Sequence, residues 1–77
     1  MKKVKIQVTL RESILDPTGS AVKETMHKLG HTGVDNVRIG KYIVLDVDDN
    51  TTDADITKMC DTLLANTVIE DYTFVTE

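Results

Sequence analysis

Residues 37–47 read VRIGKYIVLDV, and the alternation within them is the most informative pattern in the chain. Apolar residues that alternate along a chain indicate a β-strand with one face in a core. Only Lys41 interrupts the alternation here. The apolar members of the face are Val37, Ile39, Ile43, Leu45 and Val47. The pattern predicts one long strand within residues 34–48.

A hairpin centred on Gly40 is the second interpretation. A two-residue turn at Gly40 and Lys41 would place Ile39 and Ile43 on opposite faces and would break the alternation. A three-residue turn over residues 40–42 would keep the alternation, but it puts glycine first, whereas such hairpins prefer glycine in the last position. The single long strand is therefore the preferred interpretation.

A strand of this length is too long for a domain of this size. Ten steps of about 3.4 Å give roughly 34 Å. A compact domain of 77 residues has a diameter near 30 Å. The half of the strand that extends beyond the domain needs another sheet to join, and a second copy of the chain is the nearest source of one. The sequence thus predicts a dimer that shares strands, and a tight hairpin at Gly40 would refute it.

The first part of the chain predicts a strand followed by a helix. Apolar residues alternate from Val4 to Leu10. Asp16 precedes Pro17, which suits an N-cap followed by a first helical residue without an N–H. An apolar face with helical spacing follows, and Gly30 ends it; its members are Val22, Met26 and Leu29. We expect a helix over residues 17–29.

The last part of the chain predicts a second helix and a third strand. Thr52 or Asp53 is the expected N-cap, and Asn66 is the expected stop. The apolar stripe of this helix consists of Ile56, Met59, Cys60, Leu63 and Leu64. The final strand is expected to carry Val68, Tyr72 and Phe74 on one face. The fold class is α+β, a ferredoxin-like variant in a single domain 1–77: strand, helix, long strand, helix, strand, with two helices on one face of an antiparallel sheet.

Composition excludes several classes of function. Nine Lys and Arg against 13 Asp and Glu give a net charge of −4, and the only aromatic residues are two Tyr and one Phe, so nucleic-acid binding is not expected. One cysteine permits neither an internal disulfide nor a metal site of several cysteines. No apolar run approaches the roughly 20 residues of a membrane span, and the first residues do not resemble a secretory signal. We expect a cytoplasmic protein with no membrane partner.

No spacing in the chain indicates catalysis. The glycines and serines match neither a phosphate-binding loop nor a nucleophile elbow. Cys60 lies within an apolar stripe, where cysteine acts as a small hydrophobic residue. Arg38 and Lys41 are the basic residues of an otherwise apolar strand, and they suit a phosphate, a partner carboxylate or the end of an interface. The residues alone favour an assembly role, with no catalytic, cofactor-binding or metal-binding residue in this chain.

Three stretches together resemble a known family. They are ILDPTGSAV at residues 14–22, VRIGK at residues 37–41 and CDTLLANTVIEDY at residues 60–72. In this order and spacing they resemble PurS, the small subunit of bacterial and archaeal phosphoribosylformylglycinamidine synthase. The resemblance extends from Val4 to Tyr72. Thr67 departs from it, because the family often has proline there, but threonine leaves the following strand intact.

The resemblance implies a non-catalytic bridging subunit of a ligase in purine biosynthesis. The complex converts formylglycinamide ribonucleotide, ATP and glutamine to formylglycinamidine ribonucleotide. A large synthetase subunit of the PurL type is expected to bind ATP and magnesium, and a glutaminase subunit of the PurQ type is expected to release ammonia. The PurS-like subunit is expected to form a homodimer or a dimer of dimers and to hold the two enzymes together for ammonia channelling.

The partner interface is expected in two segments, a strand segment and a turn. Its residues are Arg38, Gly40, Lys41, Tyr42, Asn66, Glu70, Asp71 and Tyr72. The same residues equally suit strand pairing within a homodimer. Two other functions stay open at this point: an ACT-like regulatory dimer that binds small molecules, and, less favoured, an acylphosphatase, which needs an arginine and an asparagine around a phosphate loop.

Overall fold

The computed structural model describes residues 1–77 as three strands and two helices. The elements are β1 (Lys2–Leu10), α1 (Pro17–Lys28), β2 (Lys41–Val47), α2 (Asp53–Met59), which runs on into a π-helical turn (Cys60–Leu64), and β3 (Glu70–Thr76). The strands form one antiparallel sheet in the order β2-β1-β3. This arrangement confirms the predicted α+β class.

The core lies between the sheet and α2. β1 is the central strand, and its Ile6 stands opposite Ile43 of β2 and Phe74 of β3. The buried residues of the core are Val4, Ile6, Val8, Ile56, Cys60 and Ala65. Full burial of a Val or Ile side chain contributes roughly 1.5–3 kcal/mol, so each such member of this small cluster is important for the stability of the single chain.

Lys41 interrupts the apolar alternation because it lies where the covered face ends. It opposes Val8 across the β1–β2 pair, on the side that α2 covers. Its ammonium Nζ donates to the carbonyl oxygen of Leu64 at 3.2 Å. A cation at the carboxyl end of a helix satisfies a carbonyl that has no helical partner. The lysine stem therefore stays at the apolar face while its charge reaches the end of the π-helical turn.

The long strand forms only in part within one chain. β2 begins at Lys41, and no hairpin turn forms at Gly40. Residues 34–40 run into β2 without a turn or a bend. The backbone N–H groups of residues 35–38 have no acceptor within the chain. The prediction of a strand from residue 34 is wrong for one copy, because β1 ends at Leu10 and offers no partner beyond it.

α1 begins and ends where its sequence predicts, yet it does not cover the sheet. Asp16 is the N-cap and Leu29 is the C-cap, and Gly30 follows with a φ of 99° that favours glycine. No apolar side chain of α1 joins the core, and Leu29 is 72% exposed. In the single chain only α2 packs on the sheet, whereas the sequence places both helices there. We call α1 and the segment that follows it, residues 16–40, the arm.

The arm makes the molecule long and thin. Its principal extents are 49 × 25 × 14 Å, and its radius of gyration is 15.8 Å. A compact chain of this length has a radius of gyration of about 11–12 Å. The difference means that a large part of the chain lies beside the core and not on it.

The end of α2 differs from the predicted stop. No residue except glycine has a positive φ, so Asn66 does not end the helix in a left-handed conformation. The helix ends through the π-helical turn, and Ala65 then adopts extended backbone with φ −127° and ψ 144°. The carbonyl of Asn66 accepts the N–H groups of Ile69 and Glu70 and forms the next turn. Val68 lies in this turn, 78% exposed, and is not on the strand face predicted for it.

Candidate functional site

The predicted interface residues lie in two places that one ion pair connects. Arg38, Gly40, Lys41 and Tyr42 lie in and just before β2, and Asn66, Glu70, Asp71 and Tyr72 lie in and just before β3. The ammonium of Lys41 is 3.9 Å from a carboxylate oxygen of Glu70. β1 separates the two strands elsewhere in the sheet, so the segments meet only at this end.

Arg38 is committed to the chain's own backbone. Its guanidinium donates to the carbonyl oxygens of Leu10 at 3.2 Å and Arg11 at 2.7 Å. Leu10 is the last residue of β1 and Arg11 follows it, and a guanidinium with several donors satisfies both of these carbonyls at once. The side chain therefore fixes residues 37–40 against the end of β1, which is a structural task that the sequence did not indicate.

Gly40 is required by close backbone packing. A Cβ at this position would collide with the carbonyl oxygen of Val8 and would crowd the side chain of Thr9. Its φ is not in the left-handed region, so space and not backbone conformation requires glycine here. Gly40 contributes to a surface through its backbone alone.

Tyr42 lies on the sheet face that α2 leaves open. Its side chain is 59% exposed, and it stands opposite Gln7 of β1. Two more apolar side chains of this open face are exposed, Val44 at 46% and Val75 at 58%. The remainder of the face is polar or charged, with Lys5 bonded to Glu77 at 2.9 Å. A rim of charge around a few apolar residues is typical of protein–protein contact surfaces.

The turn before β3 satisfies its own polar groups. Glu70 accepts the backbone N–H of Asn66 at 2.7 Å, and the amide oxygen of Asn66 accepts the N–H of Val68 at 3.2 Å. Asp71 pairs with Arg11 at 3.5 Å, with both side chains largely exposed. The turn is thus preformed, and what it presents outward is the apolar side chain of Val68.

Tyr72 joins β3 to the π-helical turn. Its hydroxyl donates to a carboxylate oxygen of Asp61 at 2.8 Å. This hydrogen bond, with burial and the negative charge of Asp61, raises the pKa of Tyr72. Burial and the same charge raise the pKa of the neighbouring Cys60 thiol, so the thiol stays protonated and lacks the thiolate character that nucleophilic chemistry needs.

The structure assembles no group of three or more metal-ligating side chains. His27 bonds through Nε2 to the carbonyl oxygen of Val34 at 2.7 Å, which holds the end of α1 against the segment that follows. Neither helix has the length and apolar composition that a bilayer crossing requires.

The helix N-terminus that an ACT-like site would offer to a ligand is already occupied. The carboxylate of Asp16 accepts the N–H of Gly19 at 2.8 Å, in the place that a ligand anion would take. This internal anion disfavours amino-acid binding at α1.

Sequence reasoning missed the exposed apolar side chains of the arm. It assigned Val22, Met26 and Leu29 to a core, but Val22 and Met26 are only half-buried and Leu29 is exposed. Ile39 is 41% exposed, and Leu15, directly before the arm, is 73% exposed. The helical spacing did reveal an apolar face, but not that the chain's own sheet leaves that face uncovered.

Comparison with known proteins gives the family. Residues 3–77 match the family described as PurS, phosphoribosylformylglycinamidine (FGAM) synthase. The chain belongs to the PurS family. Its PurS relative from Bacillus subtilis (strain 168), a phosphoribosylformylglycinamidine synthase subunit, is 49% identical over 100% of this chain and 94% of the relative. The corresponding PurS subunit of Synechocystis sp. (strain ATCC 27184 / PCC 6803 / Kazusa) is 53% identical over 91% of this chain and 73% of the relative.

Solved PurS structures have the same fold. The B. subtilis PurS crystal structure superposes with a TM-score of 0.93 at 49% identity, over 100% of this chain and 99% of that one. A chain in the structure of PurLQS from Thermotoga maritima superposes with a TM-score of 0.85 at 28% identity, over 99% of this chain and 96% of that one. The predicted PurS resemblance is confirmed.

Proposed function

We propose that this chain bridges the synthetase and glutaminase subunits of phosphoribosylformylglycinamidine synthase. The chain is a non-catalytic subunit of this ligase, which acts in purine biosynthesis. The observation that carries the bridging role is the similarity of 99% of this chain to a chain in the T. maritima PurLQS structure. The partners are subunits of the PurL and PurQ types.

The bridge acts through geometry. Ammonia released into bulk water is diluted and mostly protonated at neutral pH, and its protonated form is not a nucleophile. Two active sites held at a fixed separation raise the effective concentration of the intermediate that passes between them. The complex uses ATP, and we assign its binding, with magnesium, to the synthetase. We place the assembly in the cytoplasm.

The partner of the arm in this proposal is a second copy of the chain. The unpaired N–H groups of residues 35–38 are the edge of an unfinished strand, and such edges take up strands from other chains. α1 contacts this segment at Val37 and Val34, and its apolar side chains Val22 and Met26 are only partly covered within the chain. A symmetric pair of arms covers both features at once and yields a homodimer. A dimer of dimers is the larger assembly, in which two such homodimers associate.

The predicted interface residues divide between two tasks in this proposal. Arg38, Gly40 and Lys41 shape the chain itself and hold residues 37–40 in line with β2 for pairing between copies. Glu70 and Tyr72 lie on the face that α2 covers, and they bond to Asn66 and Asp61 of the same chain. Tyr42 and Asp71, on the open face, and Asn66, beside the exposed Val68, face outward. We assign these outward residues to the partner subunits.

Reconstitution tests the bridging role. Formation of formylglycinamidine ribonucleotide is measured with the synthetase and glutaminase subunits, with either glutamine or ammonium as the nitrogen source. We expect the glutamine-dependent rate to require this chain and the ammonium-dependent rate to proceed without it. Tyr42→Ala should lower the glutamine-dependent rate alone. Thr57→Ala, at an exposed position of α2 without a side-chain hydrogen bond, is the matched control and should leave both rates unchanged.

The reverse result refutes the proposal. If neither rate responds to the chain and no complex forms on a sizing column with glutamine and magnesium-ADP present, the chain is not the bridge. If both rates respond equally, the chain activates the synthetase and does not couple two sites.

A further inference from the structure

Asp16 connects two parts of the arm that lie far apart in sequence. One carboxylate oxygen accepts the N–H of Gly19 at 2.8 Å, and the other accepts the N–H of Ile39 at 2.8 Å. The residue is only 5% exposed. A buried carboxylate that uses both oxygens on backbone N–H groups is a strong and directional contact. The first contact caps α1, and the second ties its N-terminus to the segment that enters β2.

Two neighbouring contacts complete the junction. A Cβ at Gly19 would collide with the carbonyl oxygen of Val37, so the first turn of α1 lies directly against residues 37–39. The guanidinium of Arg38 holds the same residues against the carbonyls of Leu10 and Arg11 at the end of β1. The junction therefore links the end of the central strand, the start of α1 and the start of β2.

Outside this junction, no side chain of α1 forms a hydrogen bond or an ion pair with the sheet. α1 places no apolar side chain in the core, and its only buried residue is Gly19, within the junction itself. In most small domains a helix takes its orientation from apolar packing. Here polar contacts must supply the orientation instead: the junction at the start of α1, and the bond of His27 to the carbonyl oxygen of Val34 at its end.

We propose that Asp16 is the positioning residue that sets the direction of the arm, and that pairing of two copies depends on that direction. The second part rests on the homodimer of the proposed function. Two arms cover one another only if each leaves its sheet at the same angle. Loss of the contact between Asp16 and Ile39 frees the start of α1 from the segment that enters β2. The arm then moves relative to the sheet, and each copy must lose this freedom before it pairs.

The substitution Asp16→Ser separates the cap from the connection. Serine is a good N-cap and accepts the N–H of Gly19, but its single short hydroxyl does not also reach Ile39. Thr52→Ala is the matched control, because it removes the cap of α2, which packs on the sheet away from the arm. Asp16→Asn is the second variant, since it preserves size but turns an N–H₂ group towards the N–H of Ile39 or Gly19.

The experiment measures arm direction and pairing separately. Spin labels at Lys28→Cys and Thr73→Cys, both exposed, report the distance from the arm to the sheet, with Cys60 left in place because it is buried. Dilution with unlabelled chain removes distances between copies. We expect a narrow distribution for the parent and for Thr52→Ala and a broadened one for both Asp16 variants. Sedimentation equilibrium should show a dimer dissociation constant at least about 10-fold higher for both Asp16 variants.

Each result decides one part of the proposal. An unchanged distance distribution in Asp16→Ser and Asp16→Asn overturns the positioning role. A broadened distribution with an unchanged dissociation constant overturns the link between arm direction and pairing. A parent chain that is monomeric at all concentrations overturns the homodimer of the proposed function, while the distance distributions still decide the positioning role of Asp16.

Discussion

At the scale of single residues, carboxylates at the starts of the two helices contribute to stability through the backbone. N–H groups of Ile39 and Gly19 lower the pKa of Asp16, and the N–H and hydroxyl of Thr52 lower the pKa of Asp55. A lowered pKa in the folded state means that the charged form binds better there than in the unfolded chain. Each carboxylate therefore stabilises the fold only while it is ionised.

Stability is expected to fall as the pH drops below about 4. An unfolded aspartate has a pKa near 3.9, so the contribution is complete above that value and is lost as the pH falls through the lower, folded pKa. Urea unfolding at fixed protein concentration between pH 7 and pH 2 measures this loss. Asp16→Asn should make the free energy of unfolding depend less steeply on pH below about 4. Asp53→Asn removes a carboxylate that forms no hydrogen bond, so it should leave this dependence unchanged. Equal dependence of stability on pH in the two variants would contradict the stabilising role of the ionised Asp16.

Gly40→Ala should destabilise the fold by about 1–3 kcal/mol, because the new methyl group has to displace the backbone of Val8. Gly33→Ala is the matched control, since its Cβ would meet nothing within 4 Å and its φ is not positive. That control should be neutral or stabilising by about 0.4–1 kcal/mol. Denaturant unfolding of both variants checks the pair, and equal stabilities would mean that residue 40 has room to relax.

At the scale of elements, α2 carries the fold because it alone covers the sheet. It is short, with seven α-helical residues, and it supplies the buried Ile56. A helix of this length is not stable in isolation, so its caps and its packing decide whether it forms. Thr52 and Asp55 form a capping box: the hydroxyl oxygen of Thr52 accepts the N–H of Asp55 at 3.2 Å, and the Asp55 carboxylate accepts the N–H of Thr52 at 2.9 Å.

Thr52→Ala should lower the free energy of unfolding by about 1 kcal/mol, the usual effect of losing an N-cap. Thr57→Ala, at an exposed position within the same helix, should leave it unchanged or raise it slightly, because alanine has the higher helix propensity. Chemical denaturation monitored by far-ultraviolet circular dichroism distinguishes the two. If Thr57→Ala lowered the free energy of unfolding as much as Thr52→Ala does, the loss at Thr52 could not be assigned to the capping box.

Local signals in the sequence were sufficient for α1, for the start of α2 and for β1. Asp16 and Thr52 mark the helix starts through their own side chains, and the alternation from Val4 to Leu10 records a strand with one buried face. The start of β2 was not predictable in this way, because a strand begins where a partner strand begins, and β1 ends at Leu10. The interface residues were not predictable either, since Arg38 bonds to carbonyls whose position depends on the whole sheet.

At the scale of the whole molecule, the single chain is too elongated to cover all of its own apolar side chains. An extent of 49 Å and a thickness of 14 Å leave much apolar surface in contact with water. Small domains that cannot bury enough surface alone commonly associate. The partly covered apolar side chains of α1 and the unpaired backbone at residues 35–38 both belong to the arm, so the proposed homodimer would cover both.

Met26→Asp should convert the proposed dimer to a monomer without unfolding the sheet, because it places a charge on the apolar face of α1 and outside the core. Thr25→Asp, adjacent on the exposed side of α1, introduces the same charge and should leave the dimer intact. Sedimentation equilibrium and circular dichroism measure association and helix content. A dimeric Met26→Asp would show that the second copy does not cover α1.

The strand order also determines when the fold can form during synthesis. Of the three strands, β1 leaves the ribosome first, and it is the central strand of the sheet. Its two edges stay unpaired until β2 and then β3, the last strand in sequence, have been synthesised. At roughly 5–20 residues per second this wait lasts several seconds, with Val4, Ile6 and Val8 unshielded on the nascent chain. A chain that ends before Glu70 leaves the central strand of the sheet open on one side, so it is a substrate for chaperones and proteases and not a smaller version of the protein.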